Sequence, residues 1–196
     1  MNLAANRIYH IYNQGNRKQA IFYNRDHYLR FLSFVRKYIS PNCTVLAYCL
    51  MPNHYHFLIQ TTEKSITPKK VGNIISSELS NGFRMLQSIF AQVINTERSE
   101  TGSLFKQKAQ SKEIDEDSLN LIHVFNYIHQ NPVAAHLVNE MFEWEFSSYN
   151  DFAGLRNGTL CNKELAFMLT GFEQRDFPST SLLPVTDEVV KKYFIC

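Results

Sequence analysis

The stretch from Cys43 to Thr61 constrains the fold more than any other part of the chain. Cys43 to Leu50 is rich in β-forming residues, Met51-Pro52-Asn53 is a turn cluster, and His54 to Thr61 alternates in character. Two such runs joined by so short a connection read as an antiparallel hairpin. Residues i and i+2 of a strand share a face, about 6.6 Å apart along the chain, so His54 and His56 project together. Tyr55, Phe57 and Ile59 then point the opposite way, into a core. One strand therefore supplies both a packing surface and a chemical surface.

The flanking segments build a sheet around it. Arg7 to Tyr12 alternates and reads as a strand, Asn13 to Asn16 as a turn, and Ala20-Ile21-Phe22 as a short second strand piece. Asn24 caps a predicted helix carrying Tyr28, Phe31, Leu32, Val35 and Ile39 at helical spacing, stopped by Pro41-Asn42. Thr67-Pro68 is expected to open a long helix, Thr as cap and Pro at the first position, with a stripe from Val71 through Ile74, Ile75, Leu79, Phe83, Leu86 and Phe90 to Val93. Gly102 to Phe105 leads into another short strand. Residues Asp115 to Ser118 cap a further helix with Leu119, Ile122, Phe125 and Ile128, which must break or kink near Pro132.

The order β, α, β, β, α, β, α matches the ferredoxin-like split βαβ plan of the α+β class, an antiparallel sheet with helices on one face plus an added C-terminal helix. Its other face is expected to stay open for a ligand. Residues 1–152 form the expected main domain. Residues 153–196 read as an accessory tail, with Gly, Pro, Ser and Thr clustered from Gly171 to Thr186.

A chain of 196 residues with 44% hydrophobic and 19% charged side chains is one globular domain plus extras, which excludes wholesale disorder. No apolar run approaches the ~18 residues of a membrane span, and the N-terminus lacks a signal-peptide core, so a cytoplasmic protein without a membrane partner is expected. The four cysteines, Cys43, Cys49, Cys161 and Cys196, show no metal-finger spacing and read as reduced, buried thiols. The net charge of +2 conceals polarity. Residues 1–112 hold 15 basic and 5 acidic side chains, and residues 113–196 hold 5 basic and 13 acidic. Such asymmetry suits a nucleic-acid surface on the basic part, or two solvated faces that merely differ.

Two imidazoles on one strand face can converge on a divalent ion that takes a further oxygen or nitrogen ligand; they are equally a pair of surface histidines. His123, Tyr127 and Asn131 recur at i, i+4 and i+8 on one face of the last helix. Tyr127 there is either a core tyrosine or part of a polar stripe, since Ile122, Phe125 and Ile128 already supply an apolar face.

The motif Met51-Pro52-Asn53-His54-Tyr55-His56-Phe57-Leu58-Ile59, followed by Tyr127-Ile128-His129-Gln130-Asn131-Pro132-Val133, resembles the single-tyrosine HUH transposases, and within them the REP-associated tyrosine transposase branch. Tyr9-His10, Gln14-Gly15-Asn16-Arg17, Ile21-Phe22, Gly102-Ser103-Leu104-Phe105, Trp144 and Ser147-Ser148-Tyr149 agree in order, so the resemblance spans residues 7 to about 152. It implies that His54 and His56 are metal ligands, that Asn131 supplies a third, and that Tyr127 is the nucleophile. The implied cofactor is Mg²⁺ or Mn²⁺. The implied reaction is cleavage and rejoining of single-stranded DNA near hairpins through a 5′-phosphotyrosine link, by a monomer or homodimer. Arg7, Arg17, Lys18, Lys106, Lys108 and Lys112 are the candidate DNA contacts. Ala134 and His136 stand where many relatives carry Arg and Gly, and Lys106-Gln107-Lys108 replaces a stretch that is often aromatic; both departures concern substrate recognition. A non-catalytic nucleic-acid-binding regulator that keeps the fold is the alternative.

Overall fold

The computed structural model describes residues 1–115 and 119–194. Strand β1 (Ile8–Gln14) leads through a turn to helix α1 (Arg25–Tyr38), whose N-terminus is capped by the Asn24 side chain accepting from the His27 amide. Strands β2 (Cys43–Met51) and β3 (His54–Thr61) form the expected hairpin, Met51 facing His54 across the two-residue loop Pro52-Asn53. After the short helix α2 (Glu63–Ile66) come strands β4 (Pro68–Val71) and β5 (Ile74–Ser77), the long helix α3 (Glu78–Arg98), strand β6 (Gln110–Ile114) and helix α4 (Leu119–Ala134). The main sheet has the order β2-β3-β1-β6 with every neighbouring pair antiparallel, which is the ferredoxin-like arrangement.

The two sheet faces carry different layers. Tyr55, Phe57 and Ile59 are fully buried beneath α1 and α3. The Tyr55 ring packs on Phe31 at 5.2 Å and its hydroxyl accepts from Gln87 Nε2 at 2.8 Å, while Phe57 meets Phe83. On the reverse, α4 lies across β2 and β3.

Four expectations change. The helix expected from Thr67-Pro68 begins ten residues later, at Glu78, with Ser77 accepting from the Ser80 amide as its cap. Residues Pro68 to Ser77 instead form the β4–β5 hairpin, separate from the main sheet. Gly72, at φ +60°, takes the first loop position that a primed hairpin turn demands, and Val71, Ile74 and Ile75 are β-branched, so their spacing mimics a helix without forming one. Ala20 to Phe22 is not a strand; the Ile21 and Phe22 amides both donate to the single carbonyl of Pro52. Helix α4 runs two residues past Pro132 because a proline there, in the last turn, forfeits only one intrahelical bond. Its expected cap is only partly visible, since residues 116–118 lie outside those described.

The fourth change concerns the reverse face, which is covered rather than open. The chain returns through Trp144 and Ser147 along β2: Trp144 Nε1 donates to the Leu50 carbonyl and Ser147 bridges Cys49. Helices α5 (Tyr149–Phe152), α6 (Lys163–Thr170), α7 (Phe177–Thr180) and α8 (Asp187–Tyr193) follow. Phe152, Phe177, Val189 and Tyr193 join the same hydrophobic core as the sheet, and α8 packs on α4. Within the loop-like stretch from Gly171 to Thr186 one apolar side chain, Phe177, is fully buried, with Phe172 and Val185 partly so, and Val189 and Tyr193 of α8 are buried beyond it, which is why this segment docks.

His129 on α4 is completely buried, its Nε2 bonded to Ser148 Oγ at 2.8 Å. Burial pushes this imidazole from its ordinary value down to about 3. The unfolded chain, titrating near 6.5, takes up a proton that the folded chain refuses. The stabilising contribution is therefore complete above pH 6.5 and is lost as pH falls toward 3. In a His129→Gln variant that still folds, denaturant titrations should show stability falling less steeply between pH 6.5 and 5 than in the wild type, since His10, His54 and His56 contribute to the same slope; an unchanged slope would refute the assignment.

Candidate active site

The hairpin turn is a bracket whose polar atoms are almost all used. Pro52 holds the Ile21–Phe22 segment, and the Asn53 carbonyl accepts from the Gly15 amide at 2.7 Å. Asn53 Nδ2 donates to the Lys18 carbonyl, and Asn53 Oδ1 lies 2.6 Å from His54 Nδ1. A carboxamide oxygen only accepts, so His54 carries its proton on Nδ1 and leaves Nε2 free. Two residues along, His56 Nδ1 lies 2.8 Å from His10 Nε2, and the rings of His54 and His56 are 4.9 Å apart.

Both imidazoles line one cleft with Tyr12, Asn13, Gln14, Lys106, Gln107 and Gln110, and with Tyr127, Asn131 and Phe194. The sheet brings the histidines; α4 brings Tyr127 and Asn131 one helical turn apart. Burial pushes His54 down to about 4. His56 is held well below its usual range by burial first and by the neighbouring His54 and His10 rings second. Neutral imidazoles retain the lone pair that a metal needs. Burial raises the Tyr127 phenol above its ordinary value near 10. Asn131 is buried, and its Nδ2 has no hydrogen-bond partner among the described residues. That nitrogen is a donor and binds no cation; it is the Asn131 carboxamide oxygen, in the same cleft as the unprotonated ring nitrogens of His54 and His56, that completes a donor set able to hold a divalent ion. Among the described residues no cluster of three His, Cys, Asp or Glu could do so.

The remaining sequence candidates are scattered. His123 does not line the cleft, although it shares a helix with Tyr127. Lys106 stands at the rim. Arg17 and Lys18 are exposed on the left-handed turn after β1, at φ 52° and 61°, tied to the hairpin loop through Asn53. Lys112 donates to the Lys192 carbonyl at 2.7 Å and reaches over Tyr12. Lys108 faces α3 beside Phe83 and Arg84, and Arg7 pairs with Glu113 at the opposite end of β1. Phe194 in the cleft and His10, buried behind His56, were not among the candidates from the sequence. His10 carried a signal, a polar side chain on an otherwise apolar strand; Phe194, whose ring is 3.9 Å from that of Tyr127, carried none.

A ferredoxin-like α+β frame, with a His-x-His strand facing a tyrosine helix, is thus the class that fold and site define. A family profile described as transposase, IS200-like, matches residues 4–131, and the chain belongs to that family. Membership gives it a transposase-type, DNA-processing function. A search of curated proteins finds no match. Among solved structures, the fold is similar to that of a REP-associated tyrosine transposase bound to a REP hairpin, at 16% identity and a TM-score of 0.57, covering 79% of this chain and 83% of that one. A bacterial tRNA(His) guanylyltransferase-like protein in complex with GTP aligns at 10% identity over 70% of this chain and 69% of that one, with a TM-score of 0.42, too distant to inform the site.

The bracket depends on Gly15. A Cβ there would stand 2.1 Å from the Gln19 carbonyl oxygen. Gly15→Ala should lower stability by about 1–3 kcal/mol in denaturant titrations, because backbone must move to admit the methyl; an unchanged midpoint would contradict the close approach.

Proposed function

We propose that the protein cleaves and rejoins single-stranded DNA beside a hairpin, forming a covalent 5′-phosphotyrosine on Tyr127. The observation that carries this reading is the convergence of Tyr127, Asn131, His54 and His56 on one cleft within a single chain. His54, His56 and Asn131 would hold Mg²⁺ or Mn²⁺, the harder oxygen ligands coming from phosphate. When bound, such an ion polarises the scissile phosphate and offsets the charge that builds on it. The Tyr127 oxygen attacks phosphorus, the bond to the 3′ oxygen breaks, and the released 3′ hydroxyl gains a proton as the phenol loses one. The reverse step rejoins strands with no nucleotide triphosphate, since the phosphodiester is conserved on the enzyme. A phenol raised by burial needs its proton removed as it attacks, so the step would call for a base or for the bound ion and DNA to lower that cost.

The rim supports a backbone-binding role. Lys106 is nearest the cleft, with Arg17, Lys18 and Lys112 around it; Lys108 and Arg7 would meet DNA only farther out. The similarity in fold to a transposase carrying a REP hairpin supports a hairpin-bearing ligand for this chain as well. Residues 1–152 then supply the proposed catalytic groups in cis, with the later helices covering the reverse face and Phe194 lining the cleft.

Incubation with hairpin-bearing single-stranded DNA and Mn²⁺ should yield a covalent adduct on a denaturing gel. Tyr127→Phe should abolish the adduct while leaving binding within about twofold, and chelator or His54→Ala should abolish cleavage. An adduct that survives Tyr127→Phe refutes the nucleophile; cleavage without any adduct selects an activated water instead. Lys106→Ala should weaken binding and reduce the slope of log affinity against log salt by about 0.7.

A further inference from the structure

We propose that His10 and the backbone carbonyl of Tyr193 form a relay that fixes His56 in one tautomer and presents its Nε2 to the cleft. The inference rests on the metal-site reading above and assigns a positioning residue to it. His10 sits at the middle of β1, fully buried, with Nδ1 3.0 Å from the Tyr193 carbonyl oxygen and Nε2 2.8 Å from His56 Nδ1. A carbonyl oxygen can only accept, so His10 carries a proton on Nδ1. In the neutral imidazole with its proton on Nδ1, the other ring nitrogen, Nε2, is an acceptor. The hydrogen between the two rings must then come from His56 Nδ1. A neutral His56 protonated there has a bare Nε2.

The same tautomer is reached at His54 by a different device, the side chain of Asn53. Two independent acceptors, one from a turn and one through a second imidazole, converge on a single outcome. That outcome is what a pair of Nε2 ligands requires, because the other ring nitrogen of a metal-bound histidine is ordinarily held by an acceptor. A purely structural explanation is less economical. Position 10 shares its sheet face with Ile8 and Leu58, and Ile11 and Ile8 pack the strand without polar atoms. An aliphatic residue would fill the slot without desolvating an imidazole.

The acceptor is supplied by the end of α8. Carbonyls in the last turn of a helix have no intrahelical donor, so Tyr193 is free to receive the His10 proton. Lys112 Nζ donates to the adjacent Lys192 carbonyl and holds the helix end over the same strand position, since Lys112 lies opposite His10 in the β1–β6 register. The Phe194 ring, 4.4 Å from His10 and 5.5 Å from His56, closes the relay from water. The C-terminal segment thereby reaches the metal site through one hydrogen-bonded chain.

Long-range ¹H–¹⁵N spectra of the metal-free, full-length protein, with His56 assigned by difference from His56→Asn, should show His56 protonated on Nδ1. Mn²⁺ titration should give His10→Phe an affinity 10–100-fold below that of the wild type, with His10→Gln, which keeps one acceptor and one donor, recovering most of it. Thermal unfolding checks that each variant is folded. Wild-type binding that requires His54 yet is unchanged in His10→Phe overturns the relay and leaves the cleft reading standing. Absence of Mn²⁺ binding, or binding indifferent to His54→Ala, overturns the cleft reading and the relay with it. A wild-type spectrum with His56 protonated on Nε2 overturns the relay alone, and that measurement decides the matter should His10→Phe not fold.

Discussion

The antiparallel pairing of β1 with β3, unbroken from Ile8 opposite Gln60 to Gln14 opposite His54, sets the position of everything else in the molecule. Side chains alternate across a sheet, so a slip of one residue would send His54 and His56 under α1 and α3 and bring Tyr55 and Phe57 into the cleft. The register is held by energy rather than by the site. Tyr55, Phe57 and Ile59 are each fully buried, and burying such a side chain stabilises by about 1.5–3 kcal/mol. Placing two imidazoles in their stead would add a desolvation cost. The candidate chemistry is therefore presented by the same alternation that builds the core.

Burial has opposite consequences for the groups in the cleft. It keeps His54, His56 and His10 neutral, which preserves their lone pairs and makes hydrogen-bond direction a fixed property. It also raises the Tyr127 phenol, which favours its protonated form. The two imidazoles are each contacted by a different neighbour: Asn53 Oδ1 lies against His54 Nδ1, and His10, itself against the Tyr193 carbonyl, lies against His56 Nδ1.

Much of this was legible in the residues. The hairpin from Cys43 to Thr61, the cap at Asn24 and the shared face of Tyr127 and Asn131 follow from periodicity and turn chemistry, which are local, and the strand order from the match of the element order to the split βαβ plan. The β4–β5 hairpin was not, because Val71, Ile74 and Ile75 repeat at distances that suit either a helix or the two arms of a turn. Only Gly72 distinguished them. The covered reverse face was not legible either. Gly171 to Thr186 has the composition of a loop, yet Phe177 is among the most deeply buried side chains, a result of contacts with α4 and α5 that no local pattern encodes.

The amino-acid sequence by itself determined the sheet, the face on which the two histidines stand, the tyrosine helix and the family to which the chain belongs, since each depends on spacing within a few residues. Tertiary structure alone decided that His10 touches His56 across 46 positions and that Tyr193 touches His10 across 183. Phe194 came to lie on Tyr127 in the same way. Those contacts arise where distant segments bury apolar surface together, and the hydrogen bonds inside them are selected afterwards, by which donors and acceptors the packing leaves face to face.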